Sequence, residues 1–291
     1  GVQTRDNTER TAIGRIHDAD RALAAITTVK DAGLDVSCDL MCGLPGQTAV
    51  SWQRTLDGVL AAAPHHVSVY TLTLEEGTPL YRMACRDESL EPDEDFQAAC
   101  MDVARELLGA AGYHPYEVAS YALDGHECAH NIAYWTGRGY LGLGRSAAGM
   151  LDAADFDRLA GLFPGVSPRG DAYRVRLVQC DDDATAFEAE YLSQHEAAAE
   201  DLMLACRMTR GVASDLLVRA ARVIPADGLT AACDRALELG LATWVPETLG
   251  VHEGPFTSAD VVAGHVRARL APTHLGWLDG NVLFELFWDL A

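Results

Sequence analysis

Over the first half of the chain, apolar and polar positions switch between a helical and a strand-like period. Residues 18–32 (DADRALAAITTVKDA) have helical spacing, and Gly33 follows where a C-capping glycine belongs. Val36-Ser37-Cys38-Asp39-Leu40-Met41-Cys42 then reads as a short buried strand, ended by the breakers Gly43-Leu44-Pro45-Gly46. Thr48 is placed to cap a helix reaching about Ala62. His66–Leu72 alternates like a second strand, and a polar loop, a helix around 93–111 and a strand near Tyr116–Ala119 follow. Strand, loop, helix, strand at this pitch predicts an α/β fold with a parallel sheet or barrel.

Residues 120–170 are richer in glycine and aromatics, with weak periodicity. They predict loops, short strands and a linker near Phe163-Pro164-Gly165. Beyond about 170, helices are expected near 188–209, 212–222 and 226–239, then strand pieces at Leu241–Val245 and near Val251, and a closing helix Val282–Leu290. Three helices followed by a small hairpin predict a winged-helix-like α+β domain. The expected division is 1–168 and 169–291.

Charge narrows the function. The chain has 22 Lys and Arg against 43 Asp and Glu, a formal net charge of −21. Such a surface repels phosphate backbones and anionic headgroups, which argues against nucleic-acid binding and a polybasic membrane anchor. There is no apolar run of the length, about 18 residues, that a membrane span needs. No leader is recognisable at Gly1, and a cytoplasmic protein is expected. The eight cysteines (38, 42, 85, 100, 128, 180, 206, 233) show no disulfide spacing and read as reduced thiols. Cys38 and Cys42 have a CxxxC spacing, but a cluster of four irons needs three thiolates from a loop. They are expected in the core.

Two places carry candidate chemistry. Asp39 is a carboxylate in an apolar strand, just ahead of the glycine turn, at the strand end where α/β barrels hold ligands. It either bonds the amides of that loop or contacts a ligand hydroxyl or amine. Further on, His126, Cys128 and His130 alternate, with Tyr134 and Trp135 beyond. An extended segment would put all three on one face, and imidazole and thiolate ligate zinc or heme iron. The alternative is a surface loop braced by His130 and Asn131. His65-His66 opens a strand and reads as structural. No Gly-x-Ser-x-Gly elbow, Walker loop or dinucleotide fingerprint is present.

Taken together, six stretches resemble the second half of the radical SAM domain in oxygen-independent coproporphyrinogen III oxidases and their relatives. They are Gly1-Val2-Gln3, Gly14-Arg15-Ile16-His17, Asp39–Thr48, Leu72–Leu80, Cys128-x-His130-Asn131-x-x-Tyr134-Trp135 and Tyr140-Leu141-Gly142-Leu143-Gly144. Leu74-Glu75-Glu76-Gly77-Thr78-Pro79 and the Cys128–Trp135 stretch resemble the heme-chaperone branch. Tyr173-Arg174, the acidic helix around Glu196–Asp201 and Gly276-Trp277-Leu278-x-Gly280-Asn281 resemble that family's small C-terminal domain.

The resemblance implies a partial (βα) barrel, in which a [4Fe–4S] cluster reductively cleaves S-adenosylmethionine (SAM). It implies Gln3 and Asp39 as ribose contacts and Arg15 as the partner of the methionyl carboxylate, a role that suits a guanidinium fork. Thr73 and Ala148 would line the adenosyl pocket. Heme or a porphyrin would be held by His130 first and Cys128 next, for delivery to a membrane respiratory protein. The departures are equally specific. The family's three-cysteine motif and glycine-rich SAM loop belong upstream of Gly1-Val2-Gln3, and none of the eight cysteines reconstitutes the motif. The early strands of the barrel are missing with them, so one sheet edge is expected to be open. Cys42 stands where the family has tyrosine, and Gly144-Arg145-Ser146-Ala147-Ala148 replaces Gly-Ala-Gly-Ala-His. The expectation is therefore a heme chaperone that carries out no radical chemistry with these residues alone. Behind it stand the oxidase itself and, last because its helices are acidic, a non-catalytic interaction module.

Overall fold

The computed structural model describes residues 1–16, 18–247 and 255–291; His17 and the expected strand near Val251 lie outside them. Contacts divide the chain into Gly1–Cys128 and Ala129–Ala291.

The first unit runs α1 (Asn7–Ala12), α2 (Ala19–Asp31), β1 (Ser37–Cys42), α3 (Ala49–Ala62), β2 (His66–Thr71), α4 (Pro79–Ala84), α5 (Glu94–Ala110), β3 (His114–Pro115) and β4 (Ser120–Ala122). Local chemistry sets these boundaries. Asp18, Thr78 and Asp93 accept backbone N–H groups at the starts of α2, α4 and α5, and Thr48 forms a capping box with Ser51 at the start of α3. The sheet order is β1-β2-β4-β3. β1 and β2 pair in parallel, Ser37 opposite His66 through Cys42 opposite Thr71, as the alternation predicts. The expected strand at Tyr116–Ala119 is instead the turn of a hairpin, with the Tyr116 N–H donating to Ser120 O at 3.2 Å. Pro115 has no N–H for a longer ladder, and β4 runs antiparallel to both β2 and β3.

One face of this sheet is apolar. Cys38, Leu40, Cys42, Val67, Val69 and Tyr121 are buried, as are Trp52, Leu56, Val59, Ala104 and Leu108 on α3 and α5. α5 packs on β1 and β2 and against α3, and the Trp52 indole N–H donates to Cys100 O at 2.9 Å. β1 is the edge strand. On its outer side, among the described residues, it holds only a one-residue parallel bridge, in which Gln3 N–H donates to Asp39 O (2.7 Å) and Met41 N–H to Gln3 O (2.9 Å). Beside it, between β1 and α2, runs a groove lined by Val2, Ala22, Ile26, Val36 and Cys38.

The second unit opens with α6 (Ala129–Trp135), followed by β5 (Ala148–Asp152), α7 (Ala153–Leu159), β6 (Arg174–Gln179) and β7 (Phe187–Leu192). These strands form an antiparallel sheet, β5-β6-β7. Two expectations change here. A boundary at 168/169 would cut between β5 and β6, which are paired over Ala148–Asp152 and Arg174–Val178. Phe163, at the expected linker, is buried in a cluster with Leu151, Phe156, Val175 and Leu177. The helix expected from 188 begins only at Gln194, capped by Ser193 with Glu196. Phe187–Leu192 alternates with period two and pairs with β6, and the pairing decides its state.

The remainder is α8 (Gln194–Cys206), α9 (Ser214–Ala220), α10 (Ala226–Glu238), β8 (Ala242–Pro246), α11 (Ser258–Val262), β9 (Ala268–Pro272), α12 (His274–Leu278) and α13 (Gly280–Trp288). β8 and β9 form an antiparallel pair, and Val212, between α8 and α9, bridges Leu270 of β9. The strand paired with β8 is Ala268–Pro272, reached through α11, so three helices lead here into strand, helix and strand rather than the simple hairpin expected. Among the described residues no helix is long and apolar enough to cross a membrane.

Candidate functional site

Strand register decides which side chains face away from the helices of the first unit. Alternation in β1 buries Cys38, Leu40 and Cys42 and leaves Asp39 on the other face, its side chain 42% exposed. The carboxylate is therefore not sunk among its apolar neighbours, and the burial expected of it does not occur. Pairing sets Asp39 beside Ser68, and Ser68 beside Ser120 on β4, their hydroxyls 3.0 Å apart. His66 is buried between Ser37 Oγ (Nδ1, 2.9 Å) and the Tyr116 hydroxyl (Nε2, 2.8 Å). Burial lowers the pKa of His66, with Asp39 opposing, so the ring is held neutral. The expectation that this histidine is structural fits these contacts.

Gln3 lies beside Asp39 through the one-residue bridge, at a left-handed φ of 64°. Its side chain is buried, and Oε1 has no hydrogen-bond partner. A buried acceptor without a donor costs about 1–3 kcal/mol. The carboxylate next to it is half exposed, so of the two it is Asp39 that is open to a ligand. The segment is fixed from behind by Arg10, whose guanidinium donates to Val2 O and to Thr4 O (2.9 Å). Burial and then the nearby Arg15 charge lower the Arg10 pKa. Arg15 itself is exposed in the loop after α1, its N–H bonded to Arg10 O at 2.9 Å.

The turn after β1 is held by two glutamines. Gln47 Oε1 accepts the Gly43 N–H (2.8 Å), while Nε2 donates to Met41 O (3.2 Å) and to Glu9 Oε2 (3.3 Å). Glu9 also accepts the Thr4 hydroxyl at 2.5 Å, which links the turn to the Gln3 segment. Gln97 of α5 donates to Leu72 O at 2.8 Å, and Leu72 N–H donates to Cys42 O at 2.8 Å. Gly43 has φ 78°, and a Cβ there would lie 2.4 Å from Gln97 Nε2, so only glycine fits. Thr73, one residue past Leu72, is exposed at this same carboxyl end of the strands. Sequence reasoning missed Glu9, Arg10, Gln47 and Gln97. Of these only Gln47, in Gly43-Leu44-Pro45-Gly46-Gln47-Thr48, lay within a motif that drew notice.

Ala148 belongs to the second unit, as the first residue of β5. The loop before it folds tightly: a Cβ at Gly142 would lie 2.3 Å from Ala148 O. Gln179 fastens it, accepting Gly144 N–H on Oε1 (3.1 Å) and Ser146 N–H on its carbonyl (2.7 Å).

The expected shared face of His126, Cys128 and His130 does not form. His126 turns to Asp35, with Nδ1 3.1 Å from Oδ2. Cys128 is half-buried at the end of the first unit, and His130 is exposed in the first turn of α6. Helical spacing sends the neighbours of His130 in different directions. Tyr134 and Tyr140 are tilted by 41° with centroids 5.0 Å apart, and His130 meets Tyr140 edge-on at 6.1 Å. Trp135 instead lies under Arg207, 5.2 Å from the guanidinium carbon, which also covers Phe284 at 4.3 Å. The thiols divide similarly: burial pushes the pKa of Cys38 and of Cys42 up to about 12, and that of Cys100 up to about 11. These are core groups rather than ligands.

No family model matches the chain. Against curated proteins it is 35% identical over 216 residues to heme chaperone HemW of Synechocystis sp., covering 73% of this chain and 50% of that protein. It is 38% identical over 152 residues to the mitochondrial radical S-adenosyl methionine domain-containing protein 1 of Bos taurus, covering 52% of this chain and 34% of that one. The chain thus spans about half the length, or less, of these relatives. Among solved structures, the radical SAM coproporphyrinogen III oxidase HemN of Escherichia coli superposes with a TM-score of 0.66 at 17% identity, over 98% of this chain and 62% of that one. That likeness bears on the fold.

Proposed function

We propose that this chain, a homologue of the radical SAM heme chaperones, supplies the SAM-facing sheet end and the heme-holding Cys128–His130 segment of such a chaperone. In this reading Gln3 and Asp39 hold the ribose, Arg15 the methionyl carboxylate, and Thr73 the adenosyl group. A [4Fe–4S] cluster would supply the electron that cleaves bound SAM reductively; the residues here would bind and orient the SAM. Heme or a porphyrin is taken at His130, with Cys128 second, and passed at the cytoplasmic side to a membrane respiratory protein.

The observation that carries this reading is the setting of His130. Its imidazole is open to solvent, while the Tyr134–Tyr140 ring pair backs it. Exposed imidazole beside aromatic faces suits axial ligation of a flat macrocycle. Titrating hemin into the wild type and His130→Ala, and following the Soret band, tests it. The variant is expected to bind at least tenfold more weakly with a shifted band. An unchanged spectrum and affinity would remove His130 from the site, and Cys128→Ser would then decide whether the thiol holds the iron.

A further inference from the structure

At the end of the first unit's sheet opposite the Gly43 turn, three chain segments bring two imidazoles to one carboxylate. Asp35 precedes β1, His65 immediately precedes β2, and His126 follows β4. Backbone bonds fix the positions: His65 N–H donates to Val36 O (3.0 Å), Leu123 N–H to His65 O (3.1 Å), and His126 N–H to Leu123 O (2.9 Å). The two oxygens of Asp35 each face one ring, Oδ2 at 3.1 Å from His126 Nδ1 and Oδ1 at 3.8 Å from His65 Nδ1. The rings themselves are tilted by 31° with centroids 4.7 Å apart.

We infer that Asp35, His65 and His126 form a binding site for a divalent transition-metal ion of the zinc class. Ligand atoms bound at about 2.0–2.1 Å in a tetrahedral shell lie about 3.3 Å from one another. The two imidazoles stand 3.1 Å from Oδ2 and 3.8 Å from Oδ1 of Asp35, so small side-chain rotations bring one donor from each residue into that shell. Among the described residues, these three each offer a donor atom within 4.8 Å of the others. A hydrogen-bonded His–Asp pair needs one imidazole; a second ring turned to the same carboxylate is what a shared cation requires. The histidines are half-buried and the aspartate exposed, so an ion bound there keeps a position open to water. One bond has to yield: His65 Nδ1 accepts the Val36 N–H at 3.1 Å, and ligation through that lone pair displaces it. The site is separate from the proposed SAM and heme residues and stands whether or not that reading holds.

Zinc titrated into this chain against a competing chelating dye tests the inference. Wild type and His114→Ala, a neighbouring exposed histidine, are expected to bind one zinc with equal affinity. Asp35→Asn should bind at least tenfold more weakly and His126→Ala about a hundredfold. Zinc should also shift the Val36 amide resonance in wild type and not in His126→Ala. No zinc uptake by wild type at micromolar concentration would overturn the inference. So would unchanged binding in both Asp35→Asn and His126→Ala, or loss of binding only in Cys85→Ser or Cys180→Ser.

Discussion

Two polar regions of this chain look alike in sequence and differ in what they have left to offer. In the second unit, arginines of β6 meet acids of α8 and β7. Arg174 forks onto Asp201 at 2.6 and 2.8 Å, and Arg176 bonds to both Glu190 and Glu200. The Arg174 and Asp201 side chains are only 12% and 19% exposed, so this pairing is internal and geometrically complete. In the first unit, the region of Gln3 and Asp39 is equally polar, yet Gln3 Oε1 is buried without a partner and Asp39 is half open. Each region holds a buried acceptor without a partner, Gln3 Oε1 here and Glu200 Oε2 in the seam. The difference lies in access: the seam is closed by buried ion pairs, whereas Asp39 stands half open to solvent beside Gln3, where a ligand can be held.

The seam gives the largest expected effect. Asp201→Ala leaves Arg174 buried without its carboxylate and is expected to cost about 3 kcal/mol in urea unfolding. It should leave ligand binding by the first unit unchanged within error. A loss below 0.5 kcal/mol, roughly the noise of exposed surface pairs, would show the seam to be dispensable.

Gly43→Ala acts on the other region. The left-handed φ and the contact with Gln97 together predict a loss of about 2 kcal/mol. The perturbation should be confined to Met41–Gln47 and Leu72, readable as faster amide exchange there and not in β6 or α8. Uniformly faster exchange would mean that the turn is not the local clamp described above.

The smallest effect is a pH dependence. His66 has a folded-state pKa below its ordinary value, so the unfolded chain binds more protons in the window just below about pH 6.5. Stability should therefore fall as pH drops through that window, and His66→Gln should remove this part of the slope. Parallel wild-type and variant curves would show that His66 does not titrate differently on folding.

What the sequence disclosed and what it hid follow one physical division. Thr48, Gly33 and the Cys38-Leu40-Cys42 alternation act locally, through caps and the two-residue period, and were readable. The exposure of Asp39 depends on register with β2, and the strand state of Phe187–Leu192 on a partner strand 8 to 18 residues earlier. His126 seemed grouped with Cys128 and His130 because they are near in sequence, whereas its partners are Asp35 and His65. The motif stretches located the candidate site residues. They gave no sign of Glu9, Arg10 or Gln97, which hold the site from behind through contacts between distant segments.

The central claim is that the Gln3–Asp39 end of the first unit has capacity left for an adenosyl ligand. The direct test is to add millimolar SAM to isotopically labelled protein and follow the backbone amides. The account predicts shifts at Gln3, Asp39, Met41 and Thr73, abolished by Asp39→Asn with no change in melting temperature, and still amides along β6 and α8. Shifts absent from Gln3 and Asp39, or equally large in the Asp39→Asn variant, would contradict it.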